Sequence, residues 1–323
     1  MPPEPLVLLE VTRSGFAESH HRGSLVLLDA SGAVAVAAGL WERPVFPRSS
    51  LKPLQAVAML ECGFAGRDGS LALAAASHDG EDVHLAEARA ILNAAGLDDA
   101  ALQCPPELPS GREAMLAHVR AGRGPQRICH NCSGKHAAML ATCVVNGWDV
   151  STYRDPAHPL QVAIRAAIEA ASRETVAASG VDGCGAPAHA ISLAGLARAF
   201  AATARAADGS PAALVRAAMR AHPRLLGGTG RAVTELTAGV DGLLCKDGAE
   251  AVWGAALPDG RAFAVKVEDG GARTLGPLLA AALRFWGVAG AAVRRWSTVD
   301  VLGGGAPVGT IGWSPALVDL LGL

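Results

Sequence analysis

Apolar positions recur along this chain in two rhythms. Val- and Leu-rich runs at Leu6–Thr12 and Ser24–Leu28, then an Asp29-Ala30-Ser31-Gly32 turn signal before Ala33–Ala38, predict a β-meander at the amino end. Between the first two runs, Glu18-Ser19-His20-His21-Arg22-Gly23 reads as a polar loop, and the two prolines within Trp41–Pro47 stop the pairing. From Pro53 to about Ala238 the rhythm becomes helical. Gly and Pro separate helical stretches at Pro53–Cys62, His84–Ala95, Arg112–Ala121, Gly134–Val145, Pro159–Ala177, Leu193–Ala207 and Pro211–Ala221. Strand signals return at Gly239–Cys245, Ala251–Leu257 and Arg261–Glu268, with Pro258-Asp259-Gly260 as a hairpin turn. An apolar helix is predicted over Thr274–Trp286. The tail from Val299, with Gly303-Gly304-Gly305, reads as a loop and one last short strand or helix.

This order predicts an α/β class of the α+β type: one antiparallel sheet built from both chain ends, residues 1–52 and 239–323, with a mostly helical layer, residues 53–238, inserted. The 323 residues are taken as a single catalytic domain whose expected site is the cleft between the layers. A formal charge of −2, with basic residues scattered singly, gives no footprint for nucleic acid or anionic membrane, so the expected ligand is a small molecule. The amino end lacks the basic start and apolar run of a signal peptide, and no run approaches the roughly 18 apolar residues of a spanning helix, which predicts a cytoplasmic protein. Seven cysteines without an export signal argue against a disulfide framework; Cys62, Cys143 and Cys245 sit among apolar neighbours and read as small core residues.

Several clusters carry candidate chemistry. Ser49-Ser50-Leu51-Lys52 runs straight into the first helical stretch, and residues three apart on a helix are neighbours, so Lys52 could serve as base to a nucleophilic Ser49. The plain alternative is an N-cap serine and a solvated lysine. Ser77-His78-Asp79-Gly80-Glu81 reads either as an N-cap cluster or as a second serine entering the cleft. His130-Asn131-Cys132-Ser133-Gly134-Lys135-His136 opens a helix; with Cys129, Cys132 and the later Asp182-Gly183-Cys184-Gly185 it offers thiols and nitrogen donors that suit Zn²⁺, and it reads equally as a helix N-terminal turn with an incidental thiol. Spacing alone points first to Cys129 or His136 as further ligands, and a redox Cys-x-x-Cys lacks the strand that should precede it. Lys266 is an isolated charge in the strand Phe263–Val267, facing oppositely to Val265 and Val267, and it reads equally as pointing into a cleft or to water. Gly227-Gly228-Thr229-Gly230-Arg231 reads equally as an anion-binding turn or a plain connection.

Taken in order, Glu18-Ser19-x-His21-Arg22-Gly23, Phe46-Pro47-Arg48-Ser49-Ser50-x-Lys52-Pro53, Ser77-His78-x-Gly80-Glu81, His130 to His136, Asp182-Gly183-Cys184-Gly185-x-Pro187 and Lys266-x-x-Asp269-Gly270 resemble the rhizobial-type, or class 3, L-asparaginases of the asparaginase II family. The likeness runs from about Glu10 to Gly270. It implies a serine β-lactamase/glutaminase-like fold and hydrolysis of L-asparagine to L-aspartate and ammonia. It further implies Ser49 as nucleophile, Lys52 as its base, and Ser77 with Lys266 as a second Ser–Lys pair. Cys132, Lys135 and Cys184 would be the ligands of a zinc ion, a lysine ligand being unusual because the amine must lose its proton to bind. Arg48, His136 and Asp182 would line the substrate, with Arg48 toward its carboxylate and Asp182 toward its α-ammonium. The resemblance also implies a homodimer. A glutaminase, a β-lactamase-like amidohydrolase and a non-catalytic zinc protein are the competing readings.

Overall fold

The computed structural model describes residues 4–323, which fold as two compact units. The first comprises the chain up to Ser50, Ile191–Arg205 and Glu235–Leu323; the second comprises Leu51–Ala190 and Ala206–Thr234. The strands are β1 (Leu6–Arg13), β2 (Phe16–Leu28), β3 (Val34–Ala38), β4 (Ala178–Val181), β5 (Pro187–Ala190), β6 (Leu244–Gly248), β7 (Val252–Ala256), β8 (Ala262–Val267), β9 (Val299–Gly303) and β10 (Ala306–Trp313). The helices are α1 (Lys52–Glu61), α2 (Asp68–Ala74), α3 (Asp82–Ala94), α4 (Arg112–Arg120), α5 (Ser133–Asn146), α6 (Pro159–Ser172), α7 (Leu193–Ala204), α8 (Pro211–Ala221), α9 (Pro223–Leu226), α10 (Ala232–Gly239), α11 (Leu275–Phe285), α12 (Ala291–Trp296) and α13 (Pro315–Leu321).

The first unit is built on an eight-stranded antiparallel sheet, ordered β6-β7-β8-β2-β1-β10-β9, with β3 also pairing with β2. Both chain ends supply it, as the hydrophobic pattern predicts, and the class is mixed α/β. Its central strands are covered on both faces. On β7, the Trp253 indole donates to the Leu275 carbonyl at the start of α11 at 2.6 Å, whereas a Cβ added to the next residue, Gly254, would meet the Phe200 ring on α7. Successive strand residues point to opposite faces, so α11 and α7 lie on opposite sides of the sheet. That explains why Leu25–Leu28 are buried without alternation.

Two parts of this unit differ from the pattern's prediction. The polar Glu18–Gly23 segment is not a loop but the first half of the 13-residue β2, paired with β1 from Leu6↔Gly23 to Arg13↔Phe16. Its residues are polar because Phe16–His20 are exposed, and only His21 and Gly23 of this half turn inward. The glycine-rich tail is likewise a hairpin. Gly304 and Gly305, at φ 58° and 85°, make the left-handed two-residue turn joining β9 to β10, and β10 then pairs with β1.

The second unit is mostly helical, with α1 packed on α5, α6 and α8, and α2 on α3, α5 and α8. The predicted helix Pro159–Ala177 ends earlier, at Ser172, where Arg173 turns left-handed at φ 57°. The residues beyond form the β4–β5 hairpin, too short and glycine-bearing to show as strands in the sequence.

Candidate active site

The segment carrying Ser49 is strained and then anchored. Arg48 adopts φ 54°, a left-handed conformation costly for a non-glycine residue, and Arg48–Leu51 forms a single 3₁₀ turn before α1 begins at Lys52 with Pro53 in its first turn. The N-cap of α1 is Leu51, without a side-chain cap, so Ser49 is not holding the helix start. Behind the turn, the buried Ser50 donates to the Val252 carbonyl at 3.4 Å, and a Cβ on Gly248 would run into the Pro47 carbonyl and the Ser50 hydroxyl. A bare backbone at the end of β6 is what lets this turn lie there.

Lys52 is 1% exposed. Its Nζ donates to the Ala76 carbonyl and, at 2.8 Å, to Ser77 Oγ. The lysine beside Ser77 is therefore Lys52. Lys266 on β8 donates to the carbonyls of Glu250 (2.7 Å) and Val267, and burial lowers its pKa. Ser77 is not a cap either: α3 is capped by Glu81 and His84 in a reciprocal box.

The second cluster joins α5 to the tip of the β4–β5 hairpin. Cys132 is the N-cap of α5 and Lys135 lies in its first turn. The tip is closed by Gly185 N–H on the Asp182 carbonyl (2.8 Å), with Gly185 at φ 82°. This brings Cys184 Sγ to 3.2 Å from Lys135 Nζ. All three side chains are at most 4% exposed. The Cys184 thiol is held far below the usual thiol range, by a hydrogen bond from Cys132 first and by Lys135 and His136 next, against the opposing effect of burial. The same hydrogen bond and burial push Cys132 up. Lys135 keeps its charge: burial opposes it, but Cys184, Cys132 and Asp182 outweigh burial and raise its pKa. Among the described residues, no three His, Cys, Asp or Glu side chains converge as a metal site. The convergent donors are two thiols and an amine. As a buried, carboxylate-free set this fits a soft, borderline ion such as Zn²⁺, whose binding would release the protons of Cys132 and Lys135.

Of the other expected residues, Asp182 is half-buried at the hairpin tip, Arg48 is half-buried in the Ser49 turn, and His136 is wholly buried with Nδ1 2.6 Å from the Tyr153 hydroxyl. Cys129 lies apart from the thiol–amine set, 3.9 Å from His118 Nδ1. Sequence reasoning passed over Lys246. It has no exposed surface and pairs with Asp247 at 2.6 Å on β6, two residues before Gly248. The signal was present as a lone charge pair ending the apolar run Leu243–Cys245.

The buried histidines are expected to make the protein acid-labile. His78 accepts from Gly80 N–H at Nδ1 (3.2 Å) and faces Ser133 Oγ through Nε2 (3.0 Å); burial first, then His84, Lys52 and His130, hold it well below its ordinary pKa. Burial lowers His136 to about 4, with Cys184 opposing. Both are neutral when folded, while the unfolded chain takes up protons below about pH 6.5. Their contribution is complete above that value and is lost as the pH falls toward about 4, which for His136 amounts to roughly 3 kcal/mol. Urea midpoints of metal-stripped protein should fall steadily from pH 7 to 5. A flat profile would refute the assignment.

A buried lysine hydrogen-bonded to a serine is a pair between which a proton can pass, the help a hydroxyl nucleophile needs. The family model described as L-asparaginase II matches residues 9–313, nearly the whole chain, and the chain belongs to that family. Similar solved structures include Mglu (TM-score 0.41, 14% identity, covering 76% of this chain and 61% of that one). A β-lactamase from Mycobacterium bovis gives 0.40 at 13% identity over 77% and 88% of the two chains, and a Bacillus glutaminase gives 0.39 at 14% over 82% and 91%. The chain spans about three fifths of the length of the Mglu chains. No curated protein matches it in sequence. No helix among the described residues is long and apolar enough to cross a membrane.

Proposed function

We propose that this protein is an L-asparaginase, hydrolysing L-asparagine to L-aspartate and ammonia through an acyl-enzyme on Ser49. The observation that carries the reading is the family match over residues 9–313. In the mechanism, Ser49 Oγ attacks the side-chain amide carbon as its proton passes to the Lys52 amine, and backbone N–H groups at the start of α1 receive the oxyanion. Lys52 returns the proton to the departing nitrogen as the C–N bond breaks. Water then cleaves the β-aspartyl ester by the same groups in reverse. As a neutral amine Lys52 has two N–H donors and one lone pair; Ala76 and Ser77 take the donors, and the reading assigns the lone pair to the Ser49 proton. Ser77 orients the amine, with Lys266 as the second lysine named by the family likeness. Arg48 and Asp182 are assigned to the substrate's carboxylate and ammonium.

Cys132, Lys135 and Cys184 would hold zinc, which when bound supplies a Lewis-acid anchor for the substrate. The working form is proposed to be a cytoplasmic homodimer. Ammonia release from asparagine and from glutamine, with and without a chelator and with nitrocefin as a third substrate, tests the reading. Asparagine is expected to turn over fastest; glutamine or nitrocefin turned over in preference would move the enzyme to a neighbouring activity, and no turnover of any would overturn it.

A further inference from the structure

Tyr153 is the only tyrosine in the chain, and it has no exposed surface. It lies in the irregular segment between α5 and α6. Its surroundings pin it on both sides. Gln161 donates to its backbone carbonyl at 2.7 Å, and its hydroxyl oxygen accepts the backbone N–H of Gln103 at 3.1 Å. Gln103 is itself fixed, donating to the Ser151 carbonyl at 2.8 Å and accepting from Arg154 Nε at 2.8 Å. The same hydroxyl stands 2.6 Å from His136 Nδ1, with the two rings edge to face at 5.6 Å.

The hydrogen bonds around the hydroxyl assign the tautomer. The oxygen accepts from the Gln103 amide, and the only acceptor in reach of the buried phenolic proton is His136 Nδ1, so that proton is placed on the bond to Nδ1. An imidazole accepting at Nδ1 carries its proton on Nε2. That Nε2 is buried with no hydrogen-bond partner, and the His136 ring interacts with the Cys184 thiol.

We propose that Tyr153 is a positioning residue of the thiol–amine cluster: it holds His136 with Nε2–H turned toward Cys184, so His136 supports the metal ligands from behind and is not one of them. The proposal rests on the zinc reading above. A hydrogen bond to the outer side of a ligating sulfur fixes its orientation, and loss of such supporting partners typically costs about 10–100-fold in metal affinity.

Tyr153→Phe removes one oxygen and keeps the ring. In competition with a chromogenic zinc chelator the variant should hold zinc about 10–100-fold more weakly than wild type. Nitrogen-15 histidine spectra should show the Nε2–H tautomer for His136 in wild type and a tautomer mixture in the variant. Zinc held as tightly by the variant as by wild type, or a wild-type His136 protonated at Nδ1, overturns the proposal. If wild type takes up no zinc at all, the metal reading fails. The wild-type tautomer then decides the role of Tyr153, as it also does if the variant does not fold.

Discussion

Replacing Ser49 with alanine is expected to cut ammonia release from L-asparagine by about 10³-fold or more while leaving thermal unfolding where it was. The size follows from the chemistry: without the hydroxyl no acyl-enzyme forms, and only binding and oxyanion stabilisation remain. The neutrality toward stability follows from the structure. Ser49 does not cap α1, and the turn is anchored instead by the buried Ser50 and by the close approach of Gly248. Asparagine should still bind, so kcat falls and KM changes little. Ser77→Ala is the control, since Ser77 is the hydroxyl that Lys52 contacts at 2.8 Å. If Ser49→Ala kept most of the turnover and Ser77→Ala lost it, the nucleophile would be Ser77.

The mixed α/β class and the strands at both chain ends were legible because their signals are local. Alternation, turn glycines and helical spacing are each written within about a dozen residues. What the sequence concealed depends on distant partners. Glu18–Gly23 is polar, so it reads as a loop, yet it is a strand because β1 offers it a ladder. The hairpin holding Cys184 is invisible as strands, although its Asp-Gly-Cys-Gly tip is plain. Within the site, the types of residue were readable and their pairing was not. Ser77 stands beside Lys52, 25 positions away, and the buried charge of Lys246 emerges only once β6 is placed in the sheet. Tyr153 carried no signal at all, since one aromatic in a loop has no period to betray it.

Replacing Lys52 separates catalysis from stability most sharply. The side chain is buried, and its described partners are a carbonyl and a serine, with no carboxylate among them. A buried amine in such company does little for the fold, and an apolar side chain of similar length fills the same space. Lys52→Met should therefore shift unfolding by no more than the roughly 1–3 kcal/mol of leaving the Ala76 carbonyl unpaired. Turnover should fall by about 10²–10⁴-fold, the usual contribution of a general base. Lys52→Ala leaves a cavity where the side chain lay, and adding methylamine should restore part of the lost rate in proportion to the free amine present. A structural role for Lys52 predicts the reverse pattern: a large loss of stability, modest loss of rate, and no response to added amine. Rescue by amine in Lys52→Ala but not in Ser49→Ala would place the proton transfer on Lys52 and the bond-making on Ser49, since an external base can replace the first and nothing in solution replaces the second.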